Sequence, residues 1–207
     1  REDAPDLTTH DIPRFFRHVL ERTDFRRDLH FLTRTTIDTL DYTGTALNEG
    51  SKLIWAAAGE PRRTPAAEIP ALPPLPEGFG HPALADAGIL LIEGPRHATA
   101  RGEQDPALEA LARALERLPG REGFPLVVVV DDAAFAAREN FLWTTFTRSD
   151  PATDVYGAAA AVRGKHWGCD APLVLDARLK AFQAPPLEED PEIERRIDAL
   201  AAPGGPL

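Results

Sequence analysis

The sequence predicts an α/β fold made of two related small strand–helix units, and three observations support it. First, "AGILLIEG" (87–94) is followed by an amphipathic helix pattern and then by "PLVVVVDD" (125–132). Strand, helix, strand in that order favours parallel pairing with the helix as crossover. Second, "FFRHVLERTDFRRDLHF" (15–31) and "FLWTTFTRSDPATDVYG" (141–157) align without a gap, setting Phe15, Arg22, Asp24 and Asp28 opposite Phe141, Arg148, Asp150 and Asp154. Self-similarity of this kind marks a repeated structural unit. Third, "EPRRTPAAEIPALPPLPEGFGHP" (60–82) separates the copies. Its prolines remove backbone donors and fix φ, so no regular element is expected to run through it. The expected organisation is a first unit at 1–60, truncated at its N-terminal side, a linker at 61–82, a second unit at 83–184 and a tail with a short helix at 185–207.

In chain order, "DIPRFFRHVLER" (11–22) places Ile12, Phe15, Phe16, Val19 and Leu20 on one helical face, with Asp11 and Pro13 as start signals. "LHFLTRTTIDTLDY" (29–42) is rich in Thr, Ile and Leu with partial alternation, which predicts one or two short strands. "SKLIWAAAG" (51–59) fits a strand or a short helix. Within the linker, Ile69, Leu72, Leu75 and Phe79 point to a segment lying along a surface groove, because a solvated linker carries little apolar content. Asp105 and Pro106 open a helix with Leu108, Leu111, Ala112 and Leu115 on one face, stopped at Pro119-Gly120. The valines at 127–130 leave no polar face, so their strand is buried on both sides. A helix is expected from about Phe135 to Thr147. At the end of the chain Asp190 caps and Pro191 starts a helix whose Ile193, Ile197 and Leu200 form a narrow stripe.

The formal charge is −10, from 33 acidic against 23 basic residues, and Lys and Arg form no stripe that could neutralise a phosphate backbone, so nucleic acid is not an expected partner. No apolar run approaches the ~20 residues of a membrane span, and "REDAPDL" at the start has no apolar signal core, so a cytoplasmic protein is expected. Cys169 stands alone and the six His show no paired ligand spacing, so neither a disulfide nor a zinc site is expected. The absence of Met and the start on Arg1 suggest a piece of a longer protein.

The second unit's apolar strand, "DD", helix with "LW", "TRSDP", further Asp, "GKHWGCDA" and "LEEDPEIERRIDAL" tail together resemble the C-terminal region of the UbiD decarboxylases. The first unit's "TIDTLDYTGTALNEGSK" resembles the stretch that joins those motifs. On this alignment Lys52 is set against Lys165, while Ala57 stands where the second copy has Asp170 and Phe25 where it has Pro151, so the first copy reads as scaffold. The resemblance implies the C-terminal scaffold and dimerisation portion of a non-oxidative decarboxylase acting on an aromatic or unsaturated acid, with quinone biosynthesis as one setting. It also implies prenylated flavin mononucleotide (prenylated FMN), a divalent metal, potassium and a Glu-Arg-Glu acid–base network, all in preceding domains of the same polypeptide, and a fragment inactive alone. A non-enzymatic α/β interaction module is the alternative, and a small-molecule-binding α/β domain is a third.

No catalytic, cofactor or metal residue is therefore assigned; the family-motif cluster is Arg148, Asp150, Asp154, Lys165 and Asp170. Arg148, Asp150 and Asp154 could line a pocket, but a structural reading is favoured: Arg148 suits the last helical turn, and a helix C-terminus repels a flavin phosphate. Asp131 and Asp132, at the end of a buried strand, could bind metal or cap the next helix, and capping is favoured. Lys165 and His166 could meet a phosphate or form a basic turn. Cys169 lacks the partnered base of a nucleophile. "EGPRHATARGE" (93–103) has the basic content of an anion loop without its glycine spacing.

Overall fold

The computed structural model describes residues 4–132, 138–184 and 190–203. It is a mixed α/β structure with a two-stranded and a five-stranded sheet. Helix α1 (Ile12–Arg22) starts where Asp11 accepts from the Arg14 N–H at 3.2 Å. It leads into an antiparallel pair, β1 (Leu29–Thr36) and β2 (Glu49–Trp55). The segment that fitted either a strand or a helix is thus a strand.

The larger sheet has the order β3-β4-β5-β7-β6. Strands β4 (Ile89–Glu93), β5 (Leu126–Val130) and β7 (His166–Asp176) run parallel, with α2 (Pro106–Leu115) crossing between β4 and β5. Helix α3 (Arg138–Arg148) precedes the antiparallel partner β6 (Val155–Arg163), and α4 (Pro191–Ala201) closes the described chain. The start expected for α3, near Phe135, lies outside the described residues.

Two elements depart from the expectations. β3 (Gly80–Asp86) begins inside the stretch expected to carry no regular structure. It is an edge strand, and there Pro82 costs the sheet no interior hydrogen bond. The β6–β7 hairpin had no strand signal in its alanines and glycines, yet its turn is a two-residue one in which Gly164 and Lys165 both take positive φ (55° and 69°), as tight hairpins require. The sequence "RGKH" is that turn.

The sheet separates two apolar clusters. On one face Leu90, Ile92, Val127 and Val129 pack against Leu108, Leu111 and Leu115 of α2. Leu72, Leu75 and Phe79 of the proline-rich segment join this cluster, so most of its apolar residues lie in a groove, whereas Ile69 stays 46% exposed. On the other face Leu91, Val128 and Leu173 pack against Leu20, Phe25 and Leu29 from α1 and β1. The proline-rich segment also fastens α1, because the Arg63 guanidinium donates to the Leu20 and Thr23 carbonyls (both 2.7 Å) at the helix end and lies over the Phe25 ring.

Candidate functional site

The parallel strands bring their carboxyl ends to one edge, where open α/β sheets place ligands. From the last residue of β7 onward, "DARLK" (176–180) turns back across this edge and carries a fully buried Asp176 and Arg178 and a Lys180 only 2% exposed. Burying such charges is tolerable only when they are paired and hydrogen-bonded. They are. Arg178 Nε donates to Asp176 Oδ1 (2.8 Å) and Nη2 to Asp176 Oδ2 (2.7 Å) and Asp105 Oδ2 (2.6 Å), while Nη1 reaches the Pro95 carbonyl (2.8 Å). Asp105 also caps α2 by accepting from the Ala107 N–H (2.8 Å), and its own N–H donates to the Tyr156 hydroxyl (2.7 Å).

Lys180 Nζ lies 3.1 Å from Asp154 Oδ2 and donates to the carbonyls of Arg148 (2.6 Å) and Asp176 (2.9 Å). A buried lysine thus satisfies the last carbonyl of α3, that of Arg148. Arg148 Nη1 pairs with Asp131 Oδ2 (3.1 Å), which also accepts from the Leu179 N–H (2.7 Å). Asp131 therefore anchors the returning segment; the residues it was expected to cap lie outside those described.

The electrostatics follow from burial and pairing. Burial pushes Asp154 up to about 6, against the opposing pull of Lys180. Burial also pushes Asp176 up, but the Arg178 hydrogen bond and the nearby cations outweigh it, and its carboxyl titrates below the usual range. Burial raises Tyr156 and lowers His97. Cys169 is buried and its thiol is pushed up to about 12, which keeps it from forming a thiolate.

The five motif residues do not converge. Arg148 and Asp154 join the buried ion set just described. Asp150 and Asp170 lie at the seam between the first unit and the rest of the chain. The Asp150 side chain accepts from the Ser51 hydroxyl of β2 and from the Ala152 N–H (3.0 Å). Asp170 accepts from Arg26 Nε (2.6 Å) and from Arg121 Nη2 (3.0 Å), and the Cys169 N–H donates to the Phe25 carbonyl (3.2 Å). The turn after each helix is thus met by the second strand of the other hairpin, the reciprocal pattern of a twofold contact. Lys165 sits apart, in the β6–β7 turn.

In the sequence Asp105 reads only as a helix start and His97 only as part of the basic stretch at 93–103, while Asp176, Arg178, Lys180 and Tyr156 carry no assigned role. The available signal was "VLDARLK", three alternating charges directly after an apolar strand.

The alignment of the two hairpins also needs correcting. Lys52 lies within β2 opposite Leu32, whereas Lys165 is in a turn. The ladders set Leu29 against Trp55 and Val155 against Leu175, so the residues that follow, Ala56 and Asp176, are the equivalent pair. Ala57 consequently corresponds to Ala177 and not to Asp170.

Residues 3–57 match the family model described as the 3-octaprenyl-4-hydroxybenzoate carboxy-lyase C-terminal domain. Residues 3–57 therefore carry the sequence pattern of a UbiD C-terminal region. The match falls on α1, β1 and β2, the copy whose sequence reads as the divergent one. The chain is 32% identical over 197 residues to an uncharacterized protein of Chlamydia trachomatis serovar D, covering 93% of this chain and 31% of that protein. It is 31% identical over 191 residues to an uncharacterized protein of Chlamydia muridarum, covering 91% of this chain and 31% of that protein. It is 29% identical over 189 residues to a Chlamydia pneumoniae protein described as a subunit of 4-hydroxybenzoate decarboxylase, with 86% of this chain and 29% of that protein aligned. The chain therefore spans about a third of the length of these relatives. No solved structure matches it. No described helix is long and apolar enough to cross a membrane.

The strand-end edge does not fit the cofactors that the UbiD family implies. A flavin phosphate would need open space and free donors at the strand ends. Here Arg178 and Lys180 fill that edge with their charges already paired, and a Cβ on Gly94, the residue after β4, would meet Val129, Arg178 and Phe79 side chains. His97, Asp105 and Asp176 offer one imidazole and two carboxylates within 4.8 Å of one another, a donor set suited to a divalent ion. Arg178 Nη2, hydrogen-bonded to both carboxylates, already serves as their cation.

Proposed function

We propose that this chain is the C-terminal scaffold portion of a UbiD-type non-oxidative decarboxylase acting on an aromatic or unsaturated carboxylic acid, with quinone biosynthesis as one setting. The reading rests on the UbiD match at 3–57 and on a relative, described as part of a decarboxylase, about three times as long as the stretch aligned. Prenylated FMN, the divalent metal and potassium are held by preceding domains of the same cytoplasmic polypeptide. What this chain supplies is a rigid platform whose buried ions are neutralised internally.

Dimerisation belongs to the same reading. Helix α4 buries none of its residues, and Ile193, Ile197 and Leu200 are 53%, 54% and 42% exposed. A helix of 11 residues is marginal alone in water, so its stripe suits docking on a second copy of the protein. The experiment is to express the whole polypeptide with and without the residues after Ala184, load it with prenylated FMN, and measure decarboxylation of aromatic acids and mass by light scattering. The expected result is activity in the whole protein and loss of the dimer on truncation. A whole protein that binds prenylated FMN and decarboxylates no aromatic or unsaturated acid overturns the enzymatic reading, and an unchanged dimer fraction overturns the role of α4.

A further inference from the structure

We propose that the cleft between β1 and the β6–β7 turn binds a small organic anion, a carboxylate or phosphate carried on a flat apolar group. This inference is independent of the decarboxylase reading. The cleft has a volume of about 390 Å³, within the ~300–1,000 Å³ of small-molecule sites. Its polar lining comes from His30, Lys165, His166, Thr33 and Gln104, and no Asp or Glu among the described residues contributes to it. In a chain with ten more acidic than basic residues, a cleft free of carboxylates is a local reversal of sign.

Lys165 is exposed and makes no ion pair with any described residue. The two-residue Gly164-Lys165 turn fixes its backbone at φ 69°, as tight hairpins require, and so holds the side chain at the mouth of the cleft. The His30 and His166 rings stand 5.8 Å apart, edge to face, and His166 Nε2 is buried without a hydrogen-bond partner among the described residues. A buried imidazole nitrogen left unsatisfied carries a desolvation cost that calls for an explanation. Phe31 and Trp167, with ring centroids 5.3 Å apart, form an aromatic wall beside these donors. Donors for an oxyanion therefore adjoin a surface for a flat apolar body, the composition of a small-molecule site.

The test titrates the full chain with benzoate, phenyl phosphate and inorganic phosphate, following histidine side-chain resonances by NMR and heat by calorimetry. Saturable binding of benzoate or phenyl phosphate that moves the His30 and His166 signals is expected, weakened at least tenfold by Lys165→Ala and by His30→Ala with the melting temperature unchanged. Tighter binding of benzoate assigns the carboxylate, and tighter binding of phenyl phosphate assigns the phosphate. Inorganic phosphate binding as tightly as phenyl phosphate overturns the role of the apolar wall. Absence of saturable binding by any probe at 10 mM, or binding indifferent to Lys165→Ala, overturns the proposal.

Discussion

The turn after α1 and the turn after α3 are built alike down to single hydrogen bonds. In the first, the Asp24 N–H donates to Asp28 Oδ2 (2.9 Å), the Asp28 N–H to the Asp24 carbonyl (2.8 Å) and the Arg26 N–H to Asp24 Oδ1 (3.1 Å). In the second, Asp150, Asp154 and Ala152 repeat these bonds at 2.6, 2.8 and 3.0 Å. Each turn then holds the end of its hairpin, the Ala56 N–H donating to the Asp28 carbonyl and the Asp176 N–H to the Asp154 carbonyl, both at 2.9 Å. Beyond that point the copies diverge completely. "AAAGE" (56–60) follows β2, whereas "DARLK" (176–180) occupies the equivalent place at the end of β7. The backbone framework therefore folds with the buried ions or without them; the turn bonds define the unit, and the ions are an addition that only the second copy retains.

The largest effect that would sharpen this contrast comes from Arg178→Ala. Removing the guanidinium leaves the Asp105 and Asp176 carboxylates buried and unpaired, an expected cost of about 3–5 kcal/mol. Urea denaturation measures it, and a loss below about 1 kcal/mol would mean that the ions do not stiffen the second copy.

The two equivalent aspartates should also respond to pH in opposite senses. Burial pushes Asp28 up, but the Arg27 hydrogen bond and the Asp24 backbone bond outweigh it, and its folded carboxyl titrates below 3.8. Its contribution is present above the unfolded value and is lost as pH falls through the folded one. Asp154, raised from 3.8 to about 6, binds its proton more tightly when folded, so its contribution is present below about 4 and is lost as pH rises through about 6. A shift of that size corresponds to about 2–3 kcal/mol. Carboxyl-carbon NMR titration separates the two; a folded Asp154 titrating with Asp28 would remove the distinction.

Ser51→Ala tests the seam with the smallest change. It removes the hydroxyl that donates to Asp150 and accepts from the Ala152 N–H at 2.8 Å, while the hydrogen bonds within the turn remain. A loss of about 1–2 kcal/mol is expected, read from the shift in unfolding midpoint.

The sequence was legible where a periodic signal met a local cap. α1, α2 and α4 each begin at an Asp with a Pro within the next two residues, and the buried Leu126–Val130 strand has no polar position to obscure it. The β6–β7 hairpin was illegible because its middle, at 157–161 and 168–171, is mostly Ala, Gly and Cys, small residues that permit close approach. A Cβ on Gly168 would lie 2.8 Å from the Arg26 Cα, across the seam. Of the candidate site, the repeated Arg-Asp-Asp spacing could be read from the sequence. Its partners could not, because Lys180 and Asp105 reach it only through the crossover of parallel strands, which brings distant segments to one edge.

The proline-rich segment has a consequence for what chain continuity does in this molecule. It leaves the first unit at Arg63, whose guanidinium is tied to the end of α1, and passes to the opposite side of the sheet, where Leu72 and Leu75 are packed. Both ends are anchored by contacts that do not depend on the peptide bonds between them, and Ile69 in the middle is open to solvent. Together with the apolar face shared by Leu20, Phe25 and Leu29, this makes the molecule suited to fragment complementation: severed near Ile69, its two pieces have the means to recognise each other and stay together as one particle.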